Sequence, residues 1–168
     1  MNNNYSAGVL IYTKYNKNIY FLLGRSPDNK WSDFGGHSEL KDHNDPEQTA
    51  SRECYEETLG SIYDIDFIKK KIKNKKCCKI HSKTYTGNPY YMYLLYVNYS
   101  DEYRTRFNCT KLYIKNVLNN KYIEKNDIRW ISYDTIIHSF ENKSFISLRN
   151  VFLTTFKLNK SLILNIIN

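Results

Sequence analysis

The stretch from Asp33 to Gly60, DFGGHSELKDHNDPEQTASRECYEETLG, joins a glycine pair to a segment carrying Arg52, Glu53, Cys54, Tyr55, Glu56 and Glu57. Asp45 before Pro46 reads as an N-cap and first helical residue, because proline pre-sets the helical φ and has no N–H to leave unpaired. Gln48, three places after Asp45, fits a capping box, and Gly60 is placed to turn left-handed and stop the helix. A helix over residues 46–58 puts Ala50, Cys54 and Thr58 on a modest inner face. Glu53, Glu56 and Glu57 then sit at i, i+3 and i+4, facing away from that core. Like charges so placed repel by about 0.2–0.5 kcal/mol per pair in an isolated helix. Either they form a solvated acidic face, with Arg52 paired to Glu56 at i+4, or a divalent cation reverses the sign. Mg²⁺ prefers oxygen ligands and is commonly held by a couple of carboxylates together with substrate phosphates.

These residues resemble the Nudix hydrolase family, whose signature is G-x5-E-x7-R-E-U-x-E-E-x-G-U with U aliphatic. Residues 52–57 fit R-E-U-x-E-E with Cys54 in the aliphatic place, and Phe34-Gly35-Gly36 resembles the usual Phe-Pro-Gly-Gly start. There are two departures. Two more residues than the signature allows separate Gly36 from Arg52, and Leu59 pushes the final glycine, Gly60, one place late. No glutamate holds the middle acidic position, where Asp42 or Asp45 is an approximate substitute.

The resemblance implies an α/β chain with the Nudix fold, an αβα sandwich around a mixed central sheet. It implies that Glu56 and Glu57 bind divalent metal, Mg²⁺ or Mn²⁺, with the backbone carbonyl of Gly35 completing part of the shell. Glu53 is either a further ligand or a group that helps to activate water. Arg52 orients a carboxylate through a charge-assisted hydrogen bond. The implied reaction is attack of a metal-activated water on a phosphorus of a nucleoside diphosphate linked to another group. Candidates for an extra acidic ligand are Glu39, Glu102, Glu124 and Asp127. A catalytically silent Nudix-like module that binds nucleotide or RNA is the alternative, motivated by the missing glutamate and the lengthened loop.

At 168 residues, with 41% hydrophobic and 25% charged residues, the chain suits a single domain over residues 1–168. Its first residues carry neither a basic region nor an apolar stretch, and no segment approaches the roughly 18 apolar residues of a membrane span. The expectation is a cytoplasmic protein with no membrane partner. Cys54, Cys77, Cys78 and Cys109 show no C-x-x-C pair and no zinc spacing with the histidines, so reduced thiols are expected. Cys54 reads as a small buried hydrophobe. A Cys78–His81 catalytic pair is the alternative.

Residues 7–12 and 19–23 read as a hairpin, 90–97 as the strongest strand and 128–131 as another, leading into a helical turn near Tyr133 to His138. Residues 145–167 read as helical and packed against the sheet, with a partner-binding helix as the alternative. Trp130 reads as core or cleft wall. A net charge of +8 and the lysines of 69–76, with Lys79, His81 and Lys83 close behind, invite a polyanion such as RNA. Tyr85, Tyr90 and Tyr91 could stack on bases. A solvated lysine loop is the plainer alternative. Capped RNA and small free nucleotides are the leading substrate classes, with inositol pyrophosphates a third; the oligomeric state is not legible.

Overall fold

The computed structural model describes residues 4–74, 77–118, 120–141 and 145–167, so Lys75 and Lys76 of the basic run lie outside the described residues. Among the described residues seven strands form one mixed sheet, ordered β3-β2-β1-β6-β5, with β4 also paired to β1 and β7 to β2. These are β1 (Ser6–Tyr15), β2 (Asn18–Arg25), β3 (Trp31–Ser32), β4 (Phe34–His37), β5 (Cys78–Lys83), β6 (Pro89–Tyr96) and β7 (Asp127–Ser132). Among the strands of the described residues β1 and β6 alone pair with each other in parallel, with Val9 opposite Tyr93. The expected hairpin is present and longer than its apolar runs, because Asn16 and Lys17 both adopt positive φ, 49° and 65°. Two left-handed central residues match the right-handed twist of the strands they join.

Strand β1 is buried on both faces, and its alternation divides the molecule. Ala7, Val9 and Ile11 face a core completed by α1 (Pro46–Glu57), α2 (Ile65–Ile72) and α3 (Glu102–Val117) through Ala50, Cys54, Ile68, Ile72 and Phe107. Leu10 faces the other core, with Ile136, Phe152, Phe156 and Ile163 from α4 (Tyr133–Glu141), α5 (Asn150–Leu158) and α6 (Lys160–Ile167). The result is the expected αβα sandwich. Among the described residues no helix is long and apolar enough to cross a membrane.

The C-terminal segment is not one helix. Trp31 N–H donates to Ser147 O at 2.8 Å and Arg149 N–H to Trp31 O at 2.9 Å, so the chain reaches α5 as an extended extra edge to β3. Asn159 then separates α5 from α6, its side-chain amide donating to Thr155 O at 2.9 Å. The basic run also has more order than its composition suggests. Asp64 caps α2 by accepting from Phe67 N–H at 2.7 Å, and Ile68 and Ile72, at i and i+4, turn into the core. Lys70 and Lys71 are thereby left toward solvent, while Lys69 reaches the side chain of Gln48. Cys78 and His81 lie three apart on β5 and so point to opposite faces, which disposes of the catalytic pair. Trp130 rests partly buried against the first core, stacked on Tyr99.

Candidate active site

Helix α1 begins as expected, with Asp45 Oδ1 accepting from Glu47 N–H at 2.9 Å. The capping box does not form, because Gln48 is taken by Lys69. The helix end also differs. Leu59, at φ 56°, is the first left-handed residue after the helix, and Gly60 follows at φ 62°. Gly60 N–H donates to Tyr55 O at 2.8 Å and Leu59 N–H to Glu56 O at 3.0 Å, the two bonds of a Schellman turn. The extra residue before the glycine thus puts a leucine in the position that glycine would fill without a Cβ penalty.

Arg52 is buried and makes the centre of the site. Its Nε and Nη2 donate to Asp42 Oδ1 and Oδ2, each at 2.9 Å, in a bidentate pair, and Nη2 also donates to His37 O at 2.9 Å. Its Nη1 donates to Glu53 Oε1 and Glu56 Oε2, both at 2.8 Å, and lies 3.3 Å from Glu39 Oε1. Burial alone would lower the guanidinium's pKa, but Asp42, Glu53 and Glu56 outweigh it and hold the group above its ordinary value. Asp42 is fully buried, which pushes its carboxyl upward. Hydrogen bonds from Arg52, Glu39 N–H and Thr49 more than offset this, leaving it below the usual range.

Asp42 therefore anchors Arg52. It stands six residues after Gly36, the spacing of the signature's middle acid, and of the two approximate substitutes it alone reaches the arginine, since Asp45 is the helix cap.

The three helix glutamates do not all turn outward. Glu56 is half-exposed, whereas Glu53 and Glu57 are buried beneath β4. A Cβ on Gly36 would fall 2.5 Å from Glu53 Oε2, so the bare backbone there is what lets the carboxylate lie against the strand. Glu57 Oε2 accepts from Gly35 N–H at 2.9 Å, and its Oε1 pairs with Lys125 Nζ at 2.9 Å. Burial raises Glu53 to about 7; Arg52 opposes the shift, while Glu124 and Glu56 add to it. Burial likewise raises Glu57 to about 7 against the pull of Lys125.

Oxygen atoms of Glu39, Glu53 and Glu56 lie within 4.8 Å of one another. Lys41 bridges the exposed edge of this group, 3.2 Å from Glu39 Oε2 and 3.3 Å from Glu56 Oε1, and marks where positive charge is drawn. An all-carboxylate donor set of this size suits a hard divalent cation. Glu57 stands outside the mutual cluster, and Gly35 meets it through its N–H. Of the further acidic candidates, Glu39 joins the cluster, and Glu124 is close enough to raise Glu53. Glu102 pairs with Arg106 on α3, and Asp127 is clasped by Arg104 and Arg129.

Beside the glycine pair opens a cavity of about 270 Å³, lined among others by Asp33, Tyr85, Tyr90, Arg149 and Phe152. Asp33 is buried at its wall. Burial raises its carboxyl to about 6, although the Tyr90 hydroxyl donates to it. Lys125 and Asp33 escaped the sequence reading. A buried lysine is indistinguishable by composition from its many exposed neighbours, and an aspartate beside a glycine pair looks like a turn residue.

A scan of family models and a search of curated proteins each found no match. Solved structures do match. A C. elegans Ap4A hydrolase in a binary complex is 18% identical over 95% of this chain and 98% of its own, with a TM-score of 0.58. The NUDIX domain of Shewanella oneidensis NrtR, complexed with ADP ribose, is 13% identical over 94% and 86%, with a TM-score of 0.55. RenU, a Nudix hydrolase from M. smegmatis, is 12% identical over 99% and 90%, with a TM-score of 0.52. At such identities the likeness carries the fold, and the chain has the Nudix fold. Motif and architecture agree.

Proposed function

We infer that this chain is a single-domain, divalent-metal-dependent pyrophosphohydrolase acting on nucleotide-type diphosphates. The observation that carries it is the Glu39–Glu53–Glu56 cluster, gathered on a buried arginine, with Glu53 against the glycine pair that also lines the cavity. These three carboxylates would hold Mg²⁺ or Mn²⁺. When bound, such an ion neutralises the diphosphate and lowers the pKa of water.

The chain's own residues do the rest. Asp42 fixes Arg52, and Arg52 fixes Glu53 and Glu56 in one arrangement, so little side-chain freedom remains to be lost when substrate binds. Gly35 and Gly36 line the cavity with backbone, and their lack of a Cβ leaves room for β1 beside Gly35 and for the Glu53 carboxylate against Gly36. Glu53 Oε2, the oxygen not bonded to Arg52, faces this strand and is available as a ligand or as a proton acceptor for the attacking water. Water adds to one phosphorus, the bridging P–O bond breaks, and two phosphorylated products leave.

The substrate panel that tests this contains Ap4A, ADP-ribose, nucleoside triphosphates, capped RNA and an inositol pyrophosphate, each with Mg²⁺ and with Mn²⁺. The first two are suggested by the Ap4A hydrolase and by the ADP-ribose complex of the NrtR domain. Turnover of one class, lost in Glu56→Gln, is expected. No turnover across the panel by folded protein would favour the silent binding module, whose support is the ion pair that Lys125 makes with Glu57. Recruitment of RNA by Lys70, Lys71 and Lys73 predicts that capped-RNA turnover falls steeply with salt while that of a free dinucleotide does not.

A further inference from the structure

The ion pair between Glu57 and Lys125 is built, rather than incidental. Lys125 is 1% exposed, and its ammonium lies 2.9 Å from Glu57 Oε1 and 3.1 Å from Ser32 Oγ. Its stem passes over Gly24 of β2, where a Cβ would fall 3.0 Å from both Lys125 Cγ and Cδ. The glycine thus opens the channel through which the lysine enters. Just after it, Asn126 N–H donates to Arg25 O at 2.7 Å and fixes the backbone at the start of β7. Glu57's other oxygen is held by Gly35 N–H, so both are engaged before any ion arrives. A divalent ion on Glu57 would have to displace the ammonium or share the carboxylate with it. Displacement strands a buried charge, and sharing sets two cations against each other at low dielectric.

We propose that Lys125 is a resident cation of this site, holding the place a second divalent ion would take on Glu57, so that the chain binds one such ion, on Glu39, Glu53 and Glu56. In this arrangement Glu57 and Lys125 are positioning residues. They tie β4 to α1 and leave a fixed positive charge beneath the glycine pair. The proposal rests on the reading of the carboxylate cluster as a metal site, and a binding count tests the two separately.

The experiment is a Mn²⁺ titration of the chelator-stripped 168-residue chain, with free Mn²⁺ read by electron paramagnetic resonance. The expected result is one tight ion per wild-type chain. Glu57→Gln should keep that ion with a dissociation constant changed by less than about tenfold, the lower bound for loss of an important outer partner. Lys125→Met, uncharged and similar in length, should admit a second ion, and Lys125→Arg should stay at one. Two tight ions on the wild type, loss of the single ion in Glu57→Gln, or a count of one in folded Lys125→Met would each overturn the proposal while leaving the metal site standing. No binding by the wild type would overturn both. Should near-ultraviolet circular dichroism show Lys125→Met unfolded, the wild-type and Glu57→Gln counts decide.

Discussion

Replacing Asp42 by asparagine removes one charge from the buried pair that organises the site while keeping the side chain's size. Asp42 Oδ1 and Oδ2 between them accept from Arg52 twice, from Thr49 Oγ1 and from Glu39 N–H, all at 2.9 Å. The asparagine amide would turn an NH₂ group toward donors on one side, so at least one of these bonds becomes a repulsive contact. Breaking a buried ion pair from one side costs about 3–5 kcal/mol. The lower end applies here, because Glu53 and Glu56 still hold Nη1 of the arginine. For a chain of this length about 3 kcal/mol corresponds to a melting temperature lower by roughly 6–12 °C. The pH dependence has a definite sign. The folded Asp42 carboxyl lies below the ordinary 3.8, so its stabilisation is full above that pH and is lost as pH falls through the lowered value. The gap between wild type and Asp42→Asn should be constant from pH 7 to about pH 5 and close only in stronger acid. Thermal unfolding followed by circular dichroism measures it, with chelator present so that ion binding does not contribute. A shift under about 2 °C at pH 7, or a gap that closes near neutrality, would refute the role given to Asp42.

Gly60→Ala would place a Cβ 2.8 Å from the Tyr55 ring at φ 62° and should cost about 1–2 kcal/mol; an unchanged melting temperature would mean the helix end is not held as described. Tyr90→Phe removes the hydroxyl that donates to buried Asp33 and should cost about 1–3 kcal/mol, while Asp33 titrates higher than its present value of about 6; carboxyl titration by nuclear magnetic resonance would detect no rise if the contact is unimportant. Glu53 is raised to about 7 in the metal-free protein, so its contribution to stability is full below the ordinary 4.5 and is lost as pH rises through about 7. Mn²⁺ binding near pH 6.5 should therefore release protons, and calorimetric enthalpies should differ between buffers of unlike ionisation enthalpy. Identical enthalpies in such buffers would count against Glu53 as a ligand.

What was legible in the sequence was local. The cap at Asp45 and Pro46, the i, i+3, i+4 spacing of the glutamates and the hairpin of residues 7–12 and 19–23 each depend on a few neighbouring residues. The missed elements depend on partners distant in sequence. Helix α3 buries only Tyr103 and Phe107 of its sixteen residues and is also tied to β7 by Arg104 on Asp127, so its apolar pattern is too sparse to register. Strand β5 reads CKIHSK, with Ile80 its one fully buried side chain, and owes its conformation to β6. Within the site the same division holds. The helix glutamates were visible, but the burial of Glu53 and Glu57 was not, because it is imposed by a glycine strand against both and a lysine from residue 125 against Glu57.

The aspartate at the signature's middle acidic position and the lengthened loop before Arg52 compensate each other. Aspartate is one methylene shorter than the glutamate expected at that spacing, and alone it would fall short of an arginine placed for the longer side chain. Because Asp42 keeps the signature's spacing from Gly36, the two extra residues lie between Asp42 and Arg52, where His43 and Asn44 both turn left-handed after a 3₁₀ turn at Leu40–Asp42. In this arrangement the Asp42 carboxylate meets Arg52 at Nε and Nη2 and the hydroxyl of Thr49 besides. The longer loop thus restores in backbone position what the shorter acid lacks in reach. Asp42→Glu should consequently overfill a fully buried position and destabilise the protein by about 1–3 kcal/mol, although it restores the signature's own residue. If Asp42→Glu instead proves as stable as the wild type, the pocket has slack and the loop's extra length has another cause.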